Sequence, residues 1–195
     1  MPYAIVFATY DIKTEAWNDF AQTATIEGTD IRPIVLVYSY SPQNVQSVTN
    51  SLAAPVKTEL SSASYPELRA LFRSIVDAHL HERRLSLGLF LILDEQSATD
   101  RQVVIVHREP EWVHAETGER LPCHPSEDGR EDQDRFEAKT VWRRFRVPFE
   151  EALSQWLAMQ AKGSYDLEEH EELRHYLQRV DHGPAEEREP FQPKD

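Results

Sequence analysis

Cysteine occurs once in this chain, at Cys123. A single thiol has no internal partner, which excludes a disulfide-built secreted scaffold. Glycine is scarce as well, with six residues in 195. Phosphate-cradling loops depend on glycine, and no Walker loop, dinucleotide glycine fingerprint, nucleophile elbow or zinc-protease helix occurs. Long apolar runs are also missing. The longest, residues 87 to 93, cannot span a bilayer. The amino terminus, Met1-Pro-Tyr-Ala-Ile-Val-Phe-Ala8, has no basic lead, and its apolar run is too short for a signal peptide. No Asn-x-Ser/Thr acceptor is found. Together these absences predict a cytosolic protein with no membrane segment.

Basic residues are outnumbered, 21 against 34 acidic, for a formal charge of −13. The excess is unevenly placed. Residues 109 to 137 carry ten acids and three bases, and residues 164 to 195 carry ten acids and four bases. These two stretches account for the whole imbalance. The acidity therefore belongs to one long connection and to the C-terminal region. An acidic surface repels phosphate backbones, so broad nucleic-acid binding is disfavoured. A solvated surface is the plain reading. The sharper one is a docking face for a basic partner protein.

What the chain does have is strand-length apolar segments. Leu87-Gly-Leu-Phe-Leu-Ile-Leu-Asp-Glu95 and Val103-Val-Ile-Val-His107 are apolar on both alternating faces. Such strands sit mid-sheet with layers above and below. Residues 3 to 8, 34 to 40 and 141 to 147 read as three more strands. Helical spacing predicts a helix from Thr14 to Ala24, on Ala16, Trp17, Phe20, Ala21 and Ala24. A weaker helix is expected from Asn44 to Leu52. A strong one runs from Pro66 to Arg84, where Ser64-Tyr-Pro-Glu67 is a capping box. Phe149 to Lys162 and Asp166 to about Val180 complete the set, stopped by Gly163 and Gly183-Pro184.

The order predicts an α/β fold, a single three-layer α/β/α domain over residues 1 to 183. Its mixed five-stranded sheet has the first three strands parallel, because their connections hold helices. The short link from Gln96 to Asp100 makes strand four antiparallel, and strand five reverses again. Residues 109 to 138 are expected as a long acidic connection or lid. Residues 184 to 195 are expected to be disordered.

In open α/β sheets, ligands bind beyond the carboxyl ends of parallel strands. Three such ends offer Tyr10 and Asp11, then Tyr38 to Tyr40, then Asp94 and Glu95. A reversing fifth strand returns Arg146 to the same edge. The candidate catalytic group is therefore Asp94, Glu95, Asp11 and Tyr40. Neighbouring carboxylates raise one another's pKa, which can put a donor and a base in one site. Arg146, with Arg144 and Trp142 on the same strand face, could hold an anionic part of a substrate or present a cation-π surface. The plainer alternatives are that Asp94 ends its strand in a turn, that Asp11 caps a helix, and that the arginines guard an edge strand.

The eight histidines do not assemble a metal set. His79 and His81 lie about 200° apart around a helix axis, and His170 and His175 also diverge. His114, Cys123 and His124 lack a paired-ligand spacing. No cofactor is expected, and nothing local activates Cys123 as a nucleophile. The expected function is a small metal-independent enzyme doing acid–base chemistry on a small organic substrate, with a biosynthetic tailoring step as its setting. The alternative is a non-catalytic module docking a basic partner through the acidic connection and C-terminal region.

Three segments also carry a resemblance. They are Thr14-Glu-Ala-Trp17, Leu89-Phe-Leu-Ile-Leu-Asp-Glu95 with Val103-Val-Ile-Val106, and Phe145-Arg-Val147 leading into a closing helical region. In this order the chain resembles the uncharacterised family called domain of unknown function 6924, with the segments covering about a third of the chain. The resemblance implies a small α/β domain and supplies no catalytic residues.

Overall fold

The computed structural model describes residues 3–26, 28–41, 45, 47–79, 85–86, 88–121, 132–162 and 188–190. Contacts divide the chain into two compact units, Met1–Val106 with Phe145–Asp181, and His107–Arg144 with His182–Asp195.

The first unit is of mixed α/β class. Its strands are five of a seven-stranded mixed sheet, in the order β2, β1, β3, β4, β6. These are β1 (Ala4–Ala8), β2 (Ile34–Val37), β3 (Leu89–Leu93), β4 (Gln102–His114) and β6 (Phe136–Pro148), the last two continuing into the second unit. β1 pairs in parallel with β2, Ala4 opposite Ile34, and in parallel with β3, Val6 opposite Leu91. Every residue of β1, β2 and β3 is buried. Helix α1 (Thr14–Thr23) buries Trp17, Phe20 and Ala21. These pack in one cluster with Ala4, Val6 and Ala8, with Leu91 and Leu93, and with Leu153 and Trp156 of α4 (Ala152–Lys162). Phe20 meets Phe149 edge to face, with ring centroids 4.9 Å apart. Phe7 and Phe90 belong to the alternate side chains of their strands. There Phe90 packs on Phe7 at 5.2 Å and on Phe72 of α2 (Tyr65–Ala78) at 4.9 Å.

Helix α2 starts where the sequence predicts. The Ser64 side chain accepts from Glu67 N, and the Glu67 carboxylate accepts from Ser64 N, with Pro66 in the first turn. The expected helix from Asn44 to Leu52 does not form over its described residues, 45 and 47 to 52. Thr49 serves the sheet edge instead. Its N–H donates to Ile34 O at 2.7 Å, and its Oγ1 accepts from Leu36 N at 3.3 Å. Pairing with an edge strand outweighs a helix that Ser and Thr already weaken.

Short helix α3 (Ser97–Asp100) joins β3 to β4 and ends at Arg101, which adopts a left-handed conformation (φ 55°). Arg101 N donates to Ser97 O, its carbonyl accepts from Phe149 N at 3.0 Å, and its guanidinium pairs with Asp19 of α1. These contacts hold a non-glycine residue in a region that ordinarily disfavours it.

In the second unit, Trp112 and Val113 of β4 pair antiparallel with β5 (Arg120–Leu121), and β6 pairs antiparallel with β7 (Arg188–Pro190). Gly118 (φ 70°) permits the turn between β4 and β5. His114 Nδ1 accepts from the N–H groups of Glu116 and Thr117, each at 3.2 Å, and its ring stands edge-on to Phe136. The stretch expected as one long connection, 109 to 138, is therefore strand at both ends. Charge conceals the extension of β4. His107, Glu111 and His114 are buried beside Val113 while Arg108 is exposed, so this half of the strand buries polar side chains and does not read as apolar. Of the tail from 184 to 195, three residues are described, and they form β7. The helix expected from Asp166 lies outside the described residues, as do Cys123 and His124.

The capping box gives a test. Ser64→Ala lowers the unfolding free energy by about 1 kcal/mol, read by urea denaturation. Hydrogen bonds from the Ser64 backbone and side chain hold the Glu67 carboxyl below its ordinary value of 4.5. Its contribution is therefore present above the unfolded value and is lost as pH falls through the folded one. Glu67→Ala accordingly changes stability near neutral pH and not in strong acid.

Candidate functional site

The carboxyl ends of β1, β2 and β3 are finished by two different structures. The first is a strap, residues 56 to 60, across β1 and β2. Val56 and Ile12 exchange backbone hydrogen bonds at 2.9 Å. The Thr58 hydroxyl donates to Ala8 O at 2.6 Å, with Tyr38 O at 3.2 Å, and accepts from Leu60 N at 2.9 Å. Thr58 N donates to Asp11 Oδ1 at 3.0 Å, and Tyr40 N donates to Glu59 Oε2 at 3.2 Å. Asp11 thus anchors the strap. The Tyr40 side chain is exposed at 46 %.

The second structure is ionic and lies beyond β3. Asp94 Oδ1 accepts from Ser97 N at 3.0 Å and from Ser97 Oγ at 3.1 Å. Asp94 Oδ2 accepts from Arg146 Nη2 of β6. Arg146 Nη1 lies 3.8 Å from Asp100 Oδ2, and Asp100 Oδ1 accepts from Gln102 N at 2.9 Å. One guanidinium therefore serves two carboxylates, with each of the three side chains about a quarter exposed. Three donors occupy Asp94, against about four lone-pair positions on a carboxylate.

Between the two structures is a hollow of about 190 Å³ lined by Thr9, Ser61, Ala63, Tyr65, Leu68, Ile92 and Asp94. Ligand pockets usually run to about 300–1,000 Å³, so only a small molecule fits. Thr9 follows β1, and both its N–H and its hydroxyl donate to Leu93 O, at 2.9 and 3.3 Å. The next residue, Tyr10, is half-buried. Burial first, and then the charge of Asp94, hold its hydroxyl above the ordinary value of 10.0. Tyr10 therefore keeps its proton at neutral pH and offers a hydrogen-bond donor.

Of the residues expected from sequence, Asp94 and Arg146 come together. Asp11 and Tyr40 are at the strap instead, and Glu95 is exposed in the turn after β3. Trp142, buried at 3 % exposure, and Arg144, half-buried, belong to the second unit. Ser97, Asp100 and Thr58 were missed as site residues, and Tyr10, named at its strand end, was left out of the candidate group. The alternative that Asp94 ends its strand in a turn is met by its bonds to Ser97, the partner that the sequence reading did not name. Nothing in Val56-Lys-Thr-Glu-Leu60 signals a strap. Among the described residues, no three of His, Cys, Asp and Glu converge as a metal site, and no helix is long and apolar enough to cross a membrane. Comparison of the chain with protein-family models, curated proteins and solved structures gives no match.

Two measurements check this geometry. Asp94→Asn removes the second cause of the raised Tyr10 value. The titration of Tyr10, followed by NMR at the ring Cζ, then moves down and stops above the ordinary value, because burial remains. An unchanged titration would mean that the carboxylate does not act on Tyr10. Arg146→Ala leaves Asp94 and Asp100 without their shared cation. It lowers the unfolding free energy by about 1–2 kcal/mol, below the cost at a fully buried pair because the site is partly solvated.

Proposed function

We propose that the protein binds a small organic molecule in the hollow beyond β1 and β3, within a three-layer α/β/α frame. The observation that carries this reading is the composition of the hollow. Apolar walls from Ala63, Leu68 and Ile92 face a few polar groups from Thr9, Ser61, Tyr65 and Asp94. Apolar walls with a few placed polar groups are what a small-molecule site needs. The carboxyl-end rim of a parallel strand pair is where such sites gather.

Acid–base chemistry on the bound molecule, without a metal, is the second reading. Tyr10 favours it as a group that keeps its proton beside the Asp94 carboxylate, which gives a donor and an acceptor in one place. It ranks second because Ser97 and Arg146 already occupy most of Asp94. A docking role for the acidic segments rests on sequence charge alone. Residues 127 to 131 lie outside the described residues, as does most of 184 to 195.

A fragment screen read by backbone amide NMR tests the binding reading. Hits are expected to shift the amides of Thr9, Ser61, Ala63, Ile92 and Asp94. Ala63→Leu, which puts a larger side chain on the wall of the hollow, abolishes those shifts while leaving the rest of the spectrum in place. Hits that concentrate elsewhere, or that survive Ala63→Leu unchanged, would remove the site.

A further inference from the structure

We infer that the hollow takes a small organic cation, a short alkylammonium or amino alcohol, with its ammonium group on Asp94. This rests on the reading of the hollow as a ligand site and adds the charge of the ligand. Sequence alone points the other way, since Arg146 on a basic strand suggests an anion. The geometry reverses that sign.

Asp94 is the one charged side chain among the seven that line the hollow, and Arg146 is not one of them. The guanidinium is committed to Asp94 and Asp100, so the cluster holds two carboxylates and one cation. Its net charge is negative before any ligand arrives. An anion entering the hollow meets Asp94 first, and it would have to displace that carboxylate to reach Arg146. A cation meets a partner already in place.

The hydrogen bonds point the same way. The Thr9 hydroxyl spends its one proton on Leu93 O, so toward a ligand it offers lone pairs. Asp94 is an acceptor throughout and keeps about one lone-pair position beyond its three donors. Two fixed acceptors at one wall call for a ligand that donates, and an ammonium donates three times. Ala63, Leu68 and Ile92 supply apolar contact for a short carbon body. The hollow has the volume of about six waters, enough for a body of roughly five non-hydrogen atoms.

The test uses the full chain and three probes of one shape, isobutylammonium, isobutanol and isobutyrate, each titrated at fixed ionic strength. Amide shifts at Thr9, Ser61, Ala63, Ile92 and Asp94 are followed by NMR. The ammonium is expected to bind at least tenfold more tightly than the alcohol, with the carboxylate weakest. Asp94→Asn brings the ammonium down to the affinity of the alcohol. A measurement on the unaltered protein does not depend on how that variant folds. Raising salt from about 50 to about 500 mM weakens the ammonium severalfold and leaves the alcohol unchanged. If isobutanol or isobutyrate equals or exceeds the ammonium at these amides, the cation assignment is wrong and the hollow stands as a ligand site. If these amides respond to none of the probes while other fragments shift them, the cation assignment alone falls. If nothing shifts them, both readings fall.

Discussion

The guanidinium of Arg146 lies between two carboxylates, Asp94 and Asp100, and this shared cation sets the geometry of the β3 end. Asp94 caps the turn that begins α3, Asp100 accepts from the first residue of β4, and Arg146 belongs to β6. Three neighbouring strands of the sheet are thereby tied at one point. Without the guanidinium, two carboxylates a few ångströms from a common centre would repel each other and pull the turn apart. The orientation of Asp94 toward the hollow follows from these bonds. Its Oδ1 is fixed by Ser97 and its Oδ2 by Arg146, which leaves the carboxylate little freedom to turn.

The interior of the fold was legible because its signals are local. Leu89–Leu93 and Ala4–Ala8 are apolar on both faces, and the structure buries every residue of each. The box at Ser64 and Glu67 needs only four consecutive residues, and it forms as read. Elements whose identity depends on a distant partner were harder to see. The second half of β4 carries Glu109, Pro110 and Glu111, which speak against a strand, yet the segment pairs with β5. Residues 47 to 52 contain helix-compatible positions, but Thr49 finds a better use at the edge of β2.

The site was half legible for the same reason. Asp94 and Arg146 could be brought to one rim from strand direction alone, and the structure puts them in contact. Asp11 and Tyr40 come from the same rule but go elsewhere, because the strap through Thr58 takes up the ends of β1 and β2. Strand order says which residues reach the edge. It does not say which later segment folds back over that edge. Tyr10, one residue before Asp11, is the strand-end group on which the Asp94 charge acts, after burial, to hold a hydroxyl above its ordinary value.

Thr58 has one more consequence. Its bonds to Ala8 and Tyr38 join a neutral hydroxyl to backbone carbonyls, whereas the opposite wall is held by full charges. Ser61 comes just after the strap, which the Asp11 and Glu59 carboxylates also hold through backbone N–H groups, and Asp94 belongs to the ion-paired side; both border the hollow. Dissolved salt screens the exposed part of the ion-pair side and acts little on the hydrogen bonds of the strap. The rim of the hollow is thus built from two kinds of bond, backbone groups held by a hydroxyl and carboxylates at the strap, and a guanidinium held by carboxylates beyond β3.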